Sequence, residues 1–482
     1  MQNKLPAFHS AVPRLCGVHR NGFAGPETMH SKPLRKRADL TRREMPKQTP
    51  AIRTRNFSEV ELGFPVETAM EEAARCRQCP DPSCLSGCPI GINIPAFIKC
   101  IADSDFSAGI RILREKNHLP AVCGRVCPAE LNCEKHCSLK EKNGRISIGR
   151  LERFLADWET NQPDRYFSEI SPFTGRKAAV IGGGPAGITA AGDLIRLGHR
   201  VTVFESFKEL GGVLVYGIPE FRLPRSVVRR EIEYLAGLGG EFQTSFVVGT
   251  MRTIDSILEE YDAVFVGTGV DLPSVADIPG VDLNGVYSAN QYLTSMNLGS
   301  PIKDHKFLAV IGSGNAAFDC ARTAIRLGAE VTLVCKKSRQ DIPARPEEVL
   351  HAEEEGIVIE PSTQPVHCLG ENGWVVSLQC VKAQFDPDEN NAAFINGAEI
   401  SYPVDAVICT IGNNPNPLIA ATTPGLEMGE KGNISIDEAT GKTSRNRVWA
   451  GGDVATGAVS IIASMSAGRK AARSMHQFLC SL

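Results

Sequence analysis

Two cysteine-rich stretches dominate this sequence. Residues 76–89 read CRQCPDPSCLSGCP, residues 123–137 read CGRVCPAELNCEKHC, and nine of the sixteen cysteines lie between residues 76 and 137. Such crowding is typical of iron–sulfur clusters, zinc sites or disulfides. Zinc sites commonly use two C-x2-C pairs and this window has one, whereas both stretches contain the Cys-Pro step of cluster-binding runs. The pattern therefore favours iron–sulfur clusters, with zinc and disulfides as the alternatives.

Length and composition indicate a multidomain globular protein. A chain of 482 residues predicts about three domains. A hydrophobic content of 42% and a charged content of 22% fit a soluble α/β protein. The net charge of −3 gives no reason to expect a nucleic-acid partner. No apolar run approaches the ~18–20 residues that a membrane helix needs, so we expect no membrane association.

Residues 1–55 differ from the remainder because they are basic, poor in acidic residues and without hydrophobic periodicity. An Arg-rich, acid-poor leader can be an organelle transit peptide. The alternatives are a mobile tail, or a start codon upstream of a true start at Met29. We expect a disordered basic extension and a cytoplasmic protein, with organelle import as the less favoured alternative.

Residues 56–165 are predicted to form a helical module around the cysteines. Apolar residues recur at three- and four-residue spacing in 94–102 and 108–114, and 148–158 continues as helix. A helix over 69–76 would deliver Cys76. Cys100 falls inside a predicted helix, so we expect it to be a core residue.

A dinucleotide-binding pattern follows the helical module. A buried strand leads into the turn Gly182-Gly-Gly-Pro-Ala-Gly187 and then a helix. Gly182 permits the tight turn, Gly184 lets a pyrophosphate approach the backbone, and Gly187 lets helix and strand pack closely. The helix N-terminus offers free N–H groups to phosphates. Glu205 ends the next strand, where an acid can accept hydrogen bonds from a ribose.

The same pattern recurs at Gly312-Ser-Gly-Asn-Ala-Ala317, between strands over 307–311 and 330–334. Two dinucleotide sites in one chain suggest a flavin and a nicotinamide. Glu205 suits a free 2′-hydroxyl, whereas the second site ends in Cys335-Lys-Lys-Ser-Arg339, whose cations accommodate a 2′-phosphate. We therefore predict FAD at the first site and NADPH, in preference to NADH, at the second.

Further glycine-rich turns predict a flavin domain that is split in sequence. Strands run into Gly267-Thr-Gly269 and Gly412, and Gly452-Asp453 precedes a helix over 460–479. Asp453 could hold a ribitol hydroxyl. We predict a basic extension over 1–55, a cluster domain over 56–165, FAD-binding segments over 172–298 and 416–482, and an NADPH-binding domain over 299–415.

The candidate cofactor-binding residues lie in or near these turns. In chain order they are Gly182, Gly184, Pro185, Ala186, Gly187, Glu205, Gly212, Arg222, Thr268, Gly269, Gly312, Gly314, Asn315, Ala317, Lys336, Lys337, Arg339, Gly412, Gly452 and Asp453. The predicted fold class is a helical iron–sulfur domain followed by two Rossmann-like α/β domains of the glutathione-reductase type, a multidomain α+β protein.

The assembled motifs resemble the small (β) subunit family of NADPH glutamate synthase. The chain is also similar to the large subunit of NADH-dependent ferredoxin:NADP oxidoreductase, to sulfide dehydrogenase subunits and to the N-terminal half of dihydropyrimidine dehydrogenase. The resemblance spans residues 56–479 and rests on the cysteine runs, Gly217-Ile-Pro-Glu-Phe-Arg-Leu-Pro224, Pro343-Ala-Arg-Pro-Glu-Glu348 and Ala450-Gly-Gly-Asp453. Lys336-Lys337 departs from the Arg-Arg that relatives often carry.

The resemblance implies two 4Fe–4S clusters. One would be held by Cys76, Cys79, Cys84 and Cys137, and the other by Cys88, Cys127, Cys133 and Glu152. In this family the last ligand comes from the helix after the final cysteine, as Gln or Glu. Cys123 falls outside the pattern and is expected to be a bystander.

The resemblance also implies an electron-transfer function that the cofactors carry, without a catalytic acid, base or nucleophile. Electrons would pass from NADPH through FAD and the clusters to a partner that makes glutamate from glutamine and 2-oxoglutarate. No C-x-x-C pair follows Cys137, so no thiol pair is expected to carry them. The alternatives are a bifurcating NAD(P)H–ferredoxin oxidoreductase, or the electron-input subunit of a dihydropyrimidine or sulfide dehydrogenase. The expected partner is a flavoprotein subunit, either the glutamate synthase large subunit or a ferredoxin-linked one.

Overall fold

The computed structural model describes residues 41–139, 144–274, 276–302, 304–385, 392–457 and 460–482. Residues 1–40 of the predicted basic extension lie outside this range. Residues 41–55 correct that prediction, because they belong to the folded protein. Arg53 closes helix α1 (Pro50–Arg53), is fully buried, and forms ion pairs with Glu354 and Glu355.

The module that contains the clustered cysteines is helical. Its helices are α2 (Val66–Ala74), α3 (Ile94–Ala102), α4 (Phe106–Arg114), α5 (Pro120–Val126) and α6 (Ile148–Thr160), with a 3-10 turn at Glu134–His136. Helix α4 begins after Asp105, whose side chain accepts from the backbone N–H of Ala108. Helix α2 ends at Ala74, so Cys76 follows the helix instead of lying in it.

The first nucleotide fold is a five-stranded parallel sheet in the order β15-β4-β1-β2-β3. The strands are β1 (Lys177–Ile181), β2 (Arg200–Phe204), β3 (Glu241–Gln243), β4 (Ala263–Val266) and β15 (Val448–Ala450), with helices α7 (Pro185–Arg196), α8 (Val213–Tyr216), α9 (Arg225–Gly237), α10 (Ile254–Leu258), α14 (Leu418–Ala421), α15 (Asp453–Thr456) and α16 (Ile461–Ser481). Strand β15 comes from the C-terminal segment and pairs with β4, which is the interrupted arrangement that the turns predicted.

The second nucleotide fold is also a five-stranded parallel sheet, in the order β6-β13-β7-β8-β9. Its elements are β6 (Val286–Ser288), β7 (Phe307–Ile311), β8 (Glu330–Val334), β9 (Val358–Glu360) and β13 (Ala406–Cys409), with helices α11 (Ala289–Asn297), α12 (Asn315–Arg326) and α13 (Pro346–Glu354). Because β6 pairs with β13, this sheet begins before the boundary predicted at residue 299.

Two smaller sheets were not predicted. Strands β10 (Thr363–Glu371), β11 (Trp374–Phe385) and β12 (Ala392–Pro403) form an antiparallel sheet, and β5 (Leu272–Pro273) pairs with β14 (Asn413–Asn414). The β5–β14 pair joins the segments that connect the two nucleotide folds.

A continuous apolar core joins the helical module to the first nucleotide fold. Buried Leu155 of α6, Ile188 of α7 and Met465 of α16 belong to it, whereas the second fold has separate cores around Phe318 and Val407. The module and the flavin-type fold are therefore packed as one body, which brings the cysteines close to the first nucleotide site. No helix among the described residues is long and apolar enough to cross a membrane.

Candidate functional site

Four cysteines line the first of two cavities in the helical module. Cys76, Cys79, Cys84 and Cys137 surround a space whose other walls include apolar side chains. They are the four that the resemblance assigned to one cluster. Burial, followed by the neighbouring Cys76, raises the pKa of the Cys84 thiol to about 11. A thiolate here therefore needs a bound cation to stabilise it.

The second cavity brings together the other predicted ligands. Cys88, Cys127, Cys133 and Glu152 all line it. Glu152 lies on α6 and is buried, and this burial raises the pKa of its carboxyl to about 8. Its Oε1 accepts a hydrogen bond of 2.7 Å from Asn117 Nδ2, which orients the carboxyl. Asn117 had no distinguishing sequence signal.

Cys123, the expected bystander, also lies in the wall of the second cavity. It is buried on α5, and Cys127 follows four residues later as the residue that caps the end of that helix. The cavity therefore holds five potential donor side chains. The spacing of the cysteine run could not distinguish a wall residue from a ligand.

The donor sets fit an iron–sulfur cluster in each cavity. Among the described residues, no three His, Cys, Asp or Glu side chains converge closely enough to hold one metal ion. A cluster has several irons, and each binds its own protein ligand, so it requires separate donors around one space. Thiolates are the ligands that such clusters select, and the described cysteines are all free of disulfides.

The two cavities are neighbours and the second one adjoins the flavin-type fold. Ile94 and Ile148 line both cavities, whereas Ile462 of α16 lines the second. The same helix holds the loop after Cys88. Ser466 Oγ donates to the carbonyl of Pro89 at 2.9 Å, and Arg469 Nη1 donates to that of Ile90 at 2.8 Å. Helix α16 thus connects the first nucleotide site to the second cavity.

The first glycine-rich turn has the geometry that a pyrophosphate requires. Gly182 has a φ of +99°, and a Cβ there would lie 2.5 Å from the carbonyl oxygen of Gly267. A Cβ at Gly187 would overlap the carbonyl oxygen of Gly182. By contrast, a Cβ at Gly184 would meet nothing within 4 Å. The turn is therefore closely packed on one side and open at Gly184, where α7 presents free N–H groups.

Three carboxylates surround the first nucleotide cleft. Glu205 accepts from the backbone N–H of Gly183 at 2.7 Å, and Asp453 accepts from Ser464 Oγ at 2.8 Å. Reduced hydration, followed by the charges of Glu205 and Asp453, raises the pKa of Asp271 to about 6. The sequence pointed to Glu205 and Asp453 but missed Asp271, although it lies two residues after Gly269.

The remaining predicted contacts of the first site are distributed around the same turn. Pro185 and Ala186 begin α7, and Gly212 has a φ of +53° with its Cβ position 3.1 Å from Gly184 Cα. Thr268 and Gly269 follow β4, and Gly452 precedes α15 with a Cβ position 2.9 Å from Ala186. The structure therefore brings these residues together at the carboxyl ends of β1, β4 and β15.

The second glycine-rich turn is also closely packed at its first glycine and open at its third position. A Cβ at Gly312 would overlap Thr410 Oγ1 and approach Ala317, whereas one at Gly314 would meet nothing within 4 Å. Asn315 begins α12 at the open side. Gly412 also has open space at its Cβ position, with only Ser274 Oγ at 4.0 Å.

The predicted cationic residues lie beyond the end of β8. Lys336 is exposed, and Arg339 forms a 2.6 Å ion pair with Glu353 of α13. Arg339 therefore has a competing carboxylate, whereas Lys336 faces solvent. These positions are where a 2′-phosphate would meet the second fold.

Arg222, which the sequence predicts as a cofactor contact, is engaged by carboxylates of the second nucleotide fold. Its guanidinium is buried in ion pairs of 2.6 Å to Asp319 of α12 and 3.1 Å to Glu348 of α13. Arg222 precedes α9, so these pairs join the first nucleotide fold to the second. The spacing of the motif could not reveal this role, because both carboxylates are distant in sequence.

These features define a pyridine-nucleotide-dependent flavoprotein oxidoreductase with an iron–sulfur domain. Family models agree: residues 53–163 match dihydropyrimidine dehydrogenase domain II, 4Fe-4S cluster, and residues 176–472 match pyridine nucleotide-disulphide oxidoreductase. The predicted fold class is confirmed, and so are FAD, NADPH and 4Fe–4S iron–sulfur chemistry as the cofactors, whereas the number of clusters stays a prediction.

The chain belongs to the family of the glutamate synthase (NADPH) small chain. The protein of that name from Escherichia coli K12 is 33% identical over 92% of this chain and 98% of its own length. The β subunit of an NADP(+)-dependent formate dehydrogenase from Moorella thermoacetica is 35% identical over 82% of this chain, which spans 60% of that subunit. A structure of FprA from Mycobacterium tuberculosis in complex with NADPH shares the fold, with a TM-score of 0.53 at 17% identity over 64% of this chain and 84% of FprA.

Proposed function

We propose that this NADPH-dependent oxidoreductase passes electrons through two clusters, one in each cysteine cavity, to a partner subunit. The observation that carries the proposal is the order of the sites. Ile462 of α16 lines the second cavity, and Ile94 and Ile148 separate that cavity from the first. When bound, the nicotinamide and flavin would supply two-electron hydride transfer, with release of the proton and of single electrons, and iron–sulfur groups in the cavities would supply one-electron acceptors.

The chain's own residues bind and orient these groups. The open position at Gly184 receives the flavin pyrophosphate, with Glu205 at the adenosine ribose and Asp453 at the ribitol. Gly314 and Asn315 receive the nicotinamide nucleotide in the same way. Lys336, Lys337 and Arg339 neutralise the 2′-phosphate and thereby favour NADPH over NADH.

Each cavity supplies the ligands of one cluster. Cys76, Cys79, Cys84 and Cys137 bind one cluster, and Cys88, Cys127 and Cys133 bind the other with Glu152 as the fourth ligand. The hydrogen bond from Asn117 orients the Glu152 carboxyl toward the cavity. A carboxylate ligand adds negative charge, which favours the oxidised form of the second cluster.

The proposed reaction is the reductive half of glutamate synthesis. The partner is the large subunit that makes glutamate from glutamine and 2-oxoglutarate, and the complex works in the cytoplasm, where free thiols and clusters persist in a reducing environment. The family relationship over nearly the full length of the Escherichia coli small chain supports this partner.

A second candidate is the electron-input subunit of another NADP-linked complex. It is favoured by the 35% identity to the formate dehydrogenase β subunit, which is higher than the identity to the Escherichia coli small chain. The iron–sulfur and nucleotide chemistry is the same in both candidates, so only the partner distinguishes them.

Two measurements test the proposal. Protein purified without oxygen should contain about eight irons and one FAD per chain, by the two-cluster assignment; tightly bound zinc or the absence of iron would contradict it. Affinity capture from the native cell should recover a large glutamine-using flavoprotein. Capture of a formate- or ferredoxin-linked assembly instead would favour the second candidate.

A further inference from the structure

Arg345 forms a bridge between the second nucleotide turn and the second cysteine cavity. Its backbone N–H donates to Asn315 Oδ1 at 3.0 Å, and Asn315 begins α12 at the open side of the glycine-rich turn. Its Nε donates to Glu130 Oε1 at 2.8 Å. Glu130 lies midway between Cys127 and Cys133, which both line the cavity.

The Arg345 side chain is held firmly in this position. Its Nη1 also donates to the carbonyl of Arg125 at 3.2 Å, just before Cys127 in the chain. The side chain is 13% exposed and that of Glu130 is 29% exposed, so solvent screens their attraction only in part. A planar guanidinium that serves a carboxylate and a carbonyl together has little freedom to rotate.

We propose that Arg345 is a positioning residue that couples nucleotide binding at the Asn315 turn to the reduction potential of the iron–sulfur group in the second cavity. The inference rests on the proposed function, since it needs a nucleotide at that turn and a cluster in that cavity. A nucleotide seated on the turn fixes Asn315, and Asn315 fixes the backbone of Arg345. The guanidinium already contacts the Cys127–Cys133 loop without nucleotide, and bound nucleotide removes the remaining motion of Asn315 and of the Arg345 backbone.

The expected sign follows from charge. A positive guanidinium held beside the cavity stabilises the extra electron of a reduced group, so bound nucleotide raises the reduction potential. The coupling is reciprocal, because binding free energies are linked: the reduced protein binds the nucleotide more tightly by the same factor. A tenfold difference in affinity corresponds to about 59 mV for one electron.

The test uses the full chain with flavin and iron bound, and adenosine 2′,5′-bisphosphate as the probe. This probe carries both phosphates of the adenosine half but has no nicotinamide, so it cannot exchange electrons. Redox titration followed by EPR measures the potential of the second-cavity signal, which is the signal that Glu152→Cys alters. Wild type should show a rise of about 59 mV with the probe, and about tenfold tighter probe binding when reduced.

Two variants separate positioning from charge. Arg345→Lys retains the positive charge but cannot serve Glu130 and the Arg125 carbonyl together. Glu130→Gln removes the carboxylate at the other end of the bridge. Both should lose the probe-dependent shift. Lys47→Gln is the matched control, because Lys47 pairs with Glu354 of the neighbouring α13 at 3.4 Å and lies outside the bridge. It should retain the shift.

The outcomes distinguish this inference from the proposed function. A shift retained in both Arg345→Lys and Glu130→Gln would overturn the coupling. Iron content and melting temperature are measured on each variant, and loss of iron from both would show a merely structural bridge and also overturn it. Wild-type protein that does not bind the probe, or that lacks a second-cavity signal, would contradict the proposed nucleotide or cluster site instead.

Discussion

The sulfur of Cys123 lies 3.6 Å from the sulfur of Met465, and both side chains are buried. Cys123 lines the second cavity from α5, whereas Met465 belongs to α16 of the flavin-type fold. Ser464, the residue before Met465, donates to Asp453 in the first nucleotide cleft. A single turn of α16 therefore contacts both the wall of the second cysteine cavity and the first nucleotide cleft. Through these two contacts the helix links the two sites directly.

Replacing Cys123 tests whether it is a wall residue or a ligand. Cys123→Ser should retain all bound iron, because Glu152 completes the ligand set. It should lower the free energy of unfolding by about 1–3 kcal/mol, because a buried hydroxyl replaces a thiol that packs on Met465. Iron analysis and thermal unfolding measure the two effects. Glu152→Ala is the comparison and should alter one EPR signal only; loss of half the iron from Cys123→Ser would make Cys123 the ligand.

Two glycines of the first turn should respond differently to the same substitution. Gly184→Ala adds a methyl group into open space, so the protein should fold normally but bind FAD more weakly, because the methyl group obstructs the pyrophosphate. Gly187→Ala forces overlap with the carbonyl oxygen of Gly182, so the fold itself should lose stability. Flavin content and melting temperature of the flavin-free protein separate the two. Equal stability of both variants would contradict the packing role of Gly187.

The pair Glu61 and Glu347 predicts a pH-dependent contact between the helical module and the second nucleotide fold. Burial, followed by the charge of Glu347, raises the pKa of Glu61 from 4.5 to about 8. The folded protein therefore retains a proton on Glu61 that the unfolded chain releases near pH 4.5. The stabilisation is present below that pH and is lost as the pH rises through about 8.

Glu61→Gln should remove this part of the pH dependence, because the amide remains neutral. Above pH 8 the variant should be more stable than wild type by about 1 kcal/mol. Thermal unfolding between pH 5 and pH 9 measures the difference. Parallel stability curves for the two proteins would show that the Glu61 carboxyl does not retain its proton in the folded protein.

Lys336 and Lys337 predict the preference for NADPH. Lys336→Ala combined with Lys337→Ala should raise the KM for NADPH about tenfold or more, because charge-assisted bonds to phosphate are worth about 1.5–3 kcal/mol each. The KM for NADH should stay nearly unchanged. Dye-reduction kinetics with both nucleotides measures the ratio. An equal rise for both nucleotides would place the 2′-phosphate elsewhere.

The ion pairs of Arg53 should account for much of the stability that residues 41–55 gain from packing on the second nucleotide fold. Arg53→Ala should lower the free energy of unfolding by about 3–5 kcal/mol, because a buried guanidinium that pairs with Glu354 and Glu355 is lost. Lys47→Ala removes a more exposed ion pair with the same Glu354 and should cost less than about 1 kcal/mol. Chemical unfolding measures both. Similar losses of unfolding free energy in the two variants would show that burial of the Arg53 ion pairs adds nothing to their contribution to stability.

Local sequence determined the elements whose physics is local. The glycines of both turns, the acid or cations after the following strands, and the apolar periodicity of α3, α4 and α6 all act within about 20 residues. Cys-Pro runs likewise revealed the cluster chemistry, since a cluster needs several thiolates close together. For these features the spacing alone was sufficient.

Only the tertiary structure decided which distant residues meet. Arg222 has the motif position of a cofactor contact but is neutralised by Asp319 and Glu348, and Arg53 belongs to a basic stretch but is buried by Glu355. The carboxylates that surround an arginine after folding decide whether its charge is paired in the protein interior. For Arg222 and Arg53 these carboxylates come from the second nucleotide fold. The place of Cys123 in the wall of the second cavity, packed against Met465 of α16, likewise became apparent only in the tertiary structure. The sequence by itself therefore determined which cofactor chemistry this protein supports, while the packing of three modules decided the order of the sites and the side chains that connect them.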